Sequence, residues 1–172
     1  MDLRIERDPA FWTAVAAHPA VREGLRGVAA EAIGRLALDE RIIPLAAVHG
    51  GFLIQRLDAL GFVGELHTLF TPEGWGREAH DAGLRMADAV FACGLRVIVT
   101  FETEHKQSRP PRTSGFVPAG AWRDSPVGQL RQWVLSEAAW AATKQSSAPP
   151  SAAGRPALSS AAASAYASLR PS

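Results

Sequence analysis

The spacing of apolar residues along the chain changes several times, and each change marks a different kind of element. Phe11, Trp12 and Val15 form a helical stripe. Asp8 is placed to cap that helix, and Pro9 suits its first turn. A break at His18-Pro19 precedes a short helix near residues 20–25, and the Ala-rich stretch 28–38 reads as further helix. From residue 42 the pattern becomes strand-like. The runs IIPLAAVHG (42–50), GFLIQRLDA (51–59) and FVGELHTLF (62–70) are separated by only a few residues, which favours antiparallel hairpins. The helical period returns at 77–93, with Ala79, Ala82, Met86, Val90 and Cys93 at intervals of three and four. Gly94 supplies a left-handed helix end, and the β-branched run LRVIVTFE (95–102) follows at once. Strand, helix and strand with so short an exit predict a parallel, right-handed crossover between 62–70 and 95–102.

Beyond that crossover the stretch TEHKQSRPPRTSGFVPAGAW holds Pro110-Pro111 and cannot be one regular helix. GQLRQWVLS (128–136) reads as a last strand and EAAWAAT as a short helix. The predicted class is α+β, with a mixed, mostly antiparallel central sheet and flanking helices. From about residue 145 the chain is Ala, Ser and Pro with almost no large apolar side chains. Such a segment cannot bury enough surface to offset its ordering entropy. The expected organisation is one domain over 1–144 and a disordered tail over 145–172, with a weak helix near 161–169.

Composition narrows the function classes. Apolar residues make up 47% and charged residues 20% of the 172, and the formal net charge is +1. That balance fits a globular domain able to bury a core. It argues against broad electrostatic binding to nucleic acid or anionic membrane. Lys106, Arg109 and Arg112 cluster locally and leave a small anionic ligand open. A single cysteine, Cys93, excludes an intramolecular disulfide and a cysteine-based zinc site. Its place on the apolar stripe predicts core packing. The charged start MDLRIERDPA is no signal peptide, and no 18-residue apolar run exists. The expected location is therefore the cytoplasm.

The stretch LHTLFTPEGWGREAHDAGLRMADAVF (66–91) carries the most specific chemistry. Pro72 stops a strand ladder because it has no N–H to donate. Gly74 and Gly76 let the backbone bend and approach a partner closely. A helix beginning near Arg77 leaves its first N–H groups unpaired at its positive end. The junction reads either as a tight turn that needs glycine or as a cradle for an anion such as a pyrophosphate.

Strand, proline, Gly-x-Gly, long helix, strand and a later Gly-Phe together resemble the Gcn5-related N-acetyltransferase (GNAT) superfamily. The matching segments are LHTLFTPEGWGREA, LRVIVTFE and TSGFVPAGAW, with AVHGGFLIQRL and FWTAVAAHPAV closest to phage-encoded GNAT-like proteins. The likeness spans roughly residues 9–140. It implies acetyl-CoA as co-substrate, with the pantetheine arm on a splayed fourth strand at Leu69, Phe70 and Thr71. It places the pyrophosphate on Gly74, Trp75, Gly76, Arg77, Glu78 and Ala79. The sequence departs from the family pattern in three places. The loop from Pro72 to Gly74 is about two residues shorter. Glu73 and Glu78 bring carboxylates near the expected anion, a repulsion of about 1 kcal/mol at 4 Å in bulk water unless they turn away. The tyrosine that often serves as general acid is missing from the expected domain, since the lone tyrosine is Tyr166.

An N-acetyltransferase must take a proton from an ammonium before the amine attacks the thioester. Glu65 and His67 lie two apart on the candidate fourth strand, hence on one face, and carboxylate and imidazole are both suited to that task. Each also has a plainer reading, Glu65 as a surface charge and His67 as a partly buried, hydrogen-bonded histidine. His49 and His105 are further candidates, and Glu102 and Glu104 are placed to hold a cationic amine. No metal is expected, because no HxH or HExxH spacing occurs. Ser114 lacks the context of a serine hydrolase nucleophile. Trp122, Trp133 and Trp140 read as core or edge anchors. Two functions stay open. One is an acetyl-CoA-dependent N-acetyltransferase that transfers directly to a primary amine of a small molecule or protein. The other is a catalytically inactive GNAT-fold binding or structural module, related to phage proteins.

Overall fold

The computed structural model describes residues 2–103, 115–125 and 128–147. Glu104, His105, the basic cluster at 106–112, Ser114 and the tail from residue 148 with Tyr166 lie outside the described residues. The elements in chain order are β1 (Arg4–Ile5), α1 (Pro9–Ala17), α2 (Pro19–Gly24), α3 (Ala30–Leu36), β2 (Ile42–Ala46), β3 (Gly50–Arg56), β4 (Val63–Phe70), α4 (Arg77–Ala92), β5 (Val97–Thr103), β6 (Val117–Arg123), β7 (Leu130–Ser136) and α5 (Glu137–Ser147). A 3-10 turn, Pro72–Gly74, joins β4 to α4. The strands form one seven-stranded sheet in the order β1-β2-β3-β4-β5-β7-β6. Every neighbouring pair is antiparallel except β4 with β5. The α+β class and the parallel crossover are thus as the sequence predicts.

Each face of the sheet buries its own core. Leu45, Phe52, Ile54, Leu66, Phe70, Ile98, Trp133 and Leu135 pack against Ala82, Met86, Val90 and Phe91 of α4 and Trp140 of α5. On the other face Ile42, Leu53 and Leu69 pack against Trp12, Val15 and Ala16 of α1, Val21 of α2 and Ile33 of α3. Consecutive strand residues point to opposite faces, so β4 sends Leu66 and Phe70 toward α4 and Leu69 toward α1–α3. Asp8 caps α1 by accepting from the Ala10 N–H at 2.9 Å. The α5 helix is tied to α4 through Asp88, which accepts from Trp140 Nε1 at 2.8 Å and pairs with Lys144 at 2.7 Å.

Four details differ from the sequence expectation. The short strand β1 and the edge strand β6 were not anticipated. The β6 residues are mostly exposed, and Pro118 and Gly120 interrupt any strand-like pattern, which an edge position tolerates. Cys93 is exposed rather than in the core. The α4 helix ends at Ala92 and Cys93 is its C-cap, so the helical stripe has lost its phase there. Finally, α5 continues to Ser147, past the expected break at residue 145. Among the described residues no helix is long and apolar enough to cross a membrane.

Candidate active site

The site begins where β4 and β5 part. Their parallel register covers only Val63, Gly64 and Glu65, paired with Val97, Ile98 and Val99. Beyond that point β4 stays paired with β3 up to Phe70, and β5 stays paired with β7 up to Thr103. The Thr100 hydroxyl donates to the Leu66 carbonyl at 3.0 Å and closes the fork at its base. The fork leaves its mark on burial. β4 is the fourth of seven strands, yet the adjacent residues His67 and Thr68 are both exposed, one on each face.

Hydrogen-bond alternation tells which groups line the fork. The Thr71 N–H donates to the His49 carbonyl at 2.9 Å, and the Leu57 N–H to the Val63 carbonyl at 2.9 Å. In an antiparallel ladder bonded and non-bonded pairs alternate. Leu69, His67 and Glu65 therefore turn their backbone toward β3, along with Thr71. Leu66, Thr68 and Phe70 turn theirs toward β5. Of the three residues expected to meet a pantetheine arm, only Phe70 has its backbone directed into the fork. Thr68 has the same direction and was not singled out in the sequence. The parity of a ladder needs the register, and a lone strand sequence does not supply it.

The loop after β4 divides its amides into used and free. The Gly74 N–H is taken by the Thr71 carbonyl at 2.9 Å and the Trp75 N–H by the Pro72 carbonyl at 3.2 Å, both within the 3-10 turn. The next four, from Gly76 to Ala79, open the 16-residue helix α4, whose N-cap has no side-chain partner. These N–H groups have no intrahelical acceptor and lie at the positive end of the helix dipole. Gly74 and Gly76 are needed for different reasons. A Cβ at Gly74 would lie 2.9 Å from Phe70 Cδ1 and 3.0 Å from His49 Cβ, whereas Gly76 has open space but a φ of +78°.

Both acidic side chains near the loop have partners of their own. Glu78 accepts from the His49 backbone N–H at 3.0 Å and meets His49 Nδ1 at 2.7 Å. Burial pushes the Glu78 carboxyl up, but the hydrogen bonds and charge of His49 outweigh this and hold it below the usual carboxylate range. The Thr71 hydroxyl, followed by its own backbone N–H, likewise lowers the Glu73 carboxyl. His49 therefore ties the β2–β3 turn to the start of α4. Arg77 is almost fully exposed and faces Asp81 at 3.6 Å.

Glu65 and His67 share the α1–α3 face, with His67 Nε2 3.5 Å from Glu65 Oε1. The His67 side chain is about half exposed, so the pair is reachable from outside. Glu102 is 4% exposed and accepts from Trp133 Nε1 at 2.9 Å. It is thereby a buried structural group of β5. Cys93 lies at the far end of α4 from Gly76, about 26 Å away at 1.5 Å per helical residue.

A forked sheet with a glycine loop and helix start at its mouth defines an acyl-CoA N-acyltransferase fold of the GNAT type. Solved structures match it over most of their length. A chimera of the Vibrio cholerae spermidine N-acetyltransferase SpeG and hSSAT is 16% identical, with a TM-score of 0.63 over 81% of this chain and 97% of that one. An aminoglycoside 6'-acetyltransferase type Ii is 16% identical, with a TM-score of 0.61 over 79% and 97%. An aminoglycoside 6'-N-acetyltransferase complexed with coenzyme A is 11% identical, with a TM-score of 0.63 over 79% and 97%. No family profile and no curated protein sequence matches the chain.

Proposed function

We propose that the protein is an acetyl-CoA-dependent N-acetyltransferase that moves the acetyl group directly to a primary amine of a small molecule or protein. One observation carries the reading. The central strand β4 separates from β5 after Glu65, and the opening ends beside four unpaired helix-start amides. The amides from Gly76 to Ala79 are suited to the pyrophosphate, with Gly74 and Trp75 shaping the loop and Arg77 adding positive charge. Thr68 and Phe70 present backbone groups to the pantetheine arm, while Leu69 and Thr71 hold β4 to β3. The neighbours named above act on spermidine or aminoglycosides, and one is complexed with coenzyme A, which supports an amine acceptor and this co-substrate. A role that consumes acetyl-CoA, a metabolite of the cell interior, supports the expected cytoplasmic location.

The bound thioester supplies an activated acyl carbon. His67, with Glu65 beside it, takes the ammonium proton of the acceptor, and the neutral amine attacks the thioester carbon; the C–N bond forms, the C–S bond breaks, and coenzyme A leaves as a thiolate that takes up the second proton lost by the nitrogen. Backbone N–H groups in the fork are placed to stabilise charge developing on the thioester oxygen. Most of the rate gain then comes from holding amine and thioester together in one geometry. No acyl group passes through Cys93, which is too far from the fork.

A second reading keeps the fold without the chemistry, as a binding or structural module of the phage-related kind. Trp75 favours it, because its indole already occupies a backbone acceptor in the fork. Calorimetry and thermal shift with acetyl-CoA decide between the two. Binding at micromolar ligand supports the transferase, and silence at millimolar ligand removes it.

A further inference from the structure

The Trp75 indole N–H donates to the Phe70 carbonyl at 2.9 Å. By ladder parity that carbonyl is directed into the fork, at the open end of β4. An extended arm bearing amide groups would bind there as an added strand does, by main-chain hydrogen bonds to the exposed edge. The indole therefore fills one rung that such an arm needs. Besides that bond, Trp75 donates its backbone N–H to the Pro72 carbonyl at 3.2 Å. It is 59% exposed, follows the close-packed Gly74, and precedes Gly76, which has a φ of +78° and nothing within 4 Å of a would-be Cβ.

We propose that Trp75 is a displaceable plug of the pantetheine groove, resting on the acetyl-CoA reading of the same site. The indole N–H holds Phe70's carbonyl until an arm amide N–H replaces it, one donor for another. A nucleotide without the arm engages the Gly76–Ala79 amides and leaves the plug in place. Trp75 is then a specificity-determining residue: the groove opens to ligands that bring an amide donor and stays shut to nucleotides alone.

The test follows the Trp75 Nε1–H resonance in 15N-labelled protein, assigned by its loss in Trp75→Phe, during titration with ADP and with coenzyme A. ADP is expected to shift the Gly76–Ala79 amides and leave the indole signal where it was, while coenzyme A shifts both. Trp75→Phe, which keeps a ring but loses the donor, should bind coenzyme A roughly two- to tenfold more tightly, a larger change than any in its ADP affinity. If coenzyme A moves the loop amides but not the indole, or if ADP moves the indole equally, the plug is refuted and the acetyl-CoA reading stands. Unchanged or weaker coenzyme A binding by Trp75→Phe also refutes the plug. If coenzyme A moves no resonance at all, both ideas fall.

Discussion

Glu78, in the first turn of α4, holds His49 of the β2–β3 turn by two contacts, one to its backbone N–H at 3.0 Å and one to its ring at 2.7 Å. Two segments 29 residues apart are thereby locked side by side. The lock also ties up a carboxylate that would otherwise lie near the proposed anion site. Glu78's carboxyl is held below its usual value of 4.5, so the interaction is present above that pH and lost as pH falls through the lowered folded value. Glu78→Gln should cost about 1 kcal/mol at neutral pH. The difference from wild type should shrink as pH drops below 4.5 and be smallest below the lowered folded value, where the wild-type side chain is neutral in both states. Urea unfolding of both proteins across pH 3–7 checks this, and a difference independent of pH would contradict it.

Gly76 adopts φ +78° and ψ −117°, a region that side chains other than hydrogen strongly resist. Gly76→Ala and Gly76→Asp should each lose about 1–3 kcal/mol of stability. Only Gly76→Asp adds a negative charge at the helix start. It should abolish coenzyme A binding in calorimetry at concentrations where Gly76→Ala still gives measurable heat.

His67 and Glu65 share the α1–α3 face of β4, where the proposed acceptor would approach. His67→Ala should reduce kcat by about 100-fold or more and leave coenzyme A affinity unchanged, because its backbone belongs to the β3 ladder and its ring lies outside the cofactor groove. Glu65→Gln should give a smaller loss. Equal activity of His67→Ala and wild type in an acetyl-transfer assay with a primary amine would remove His67 from the mechanism.

Trp133 and Glu102 lie on β7 and β5, both buried, with the indole N–H donating to the carboxylate at 2.9 Å. Trp133→Phe keeps the apolar ring and takes away a donor to a buried carboxyl group. It should lower unfolding free energy by about 2 kcal/mol, read as a lower urea midpoint at unchanged slope.

Local pattern settled most of the elements and their order, though neither β1 nor β6. Three- and four-residue spacing specified α1 and α4, β-branched runs specified β2 to β5, and the short exit at Gly94 required β4 and β5 to be parallel. Gly74-Trp75-Gly76 before a helix read as either a tight turn or an anion cradle, and two-residue spacing put Glu65 and His67 on one face. These are properties of neighbours in the chain, so they are legible without coordinates. Tertiary contact decided the rest. That β4 leaves β5 after Glu65, that Thr68 and Phe70 rather than Leu69 and Thr71 turn into the fork, that Glu78 folds back onto His49, and that Trp75 covers the Phe70 carbonyl all depend on which strand lies alongside which, and in what register. A one-residue change of register would reverse every backbone direction in β4. Residues distant in sequence set that register, through two cores on opposite faces of one sheet.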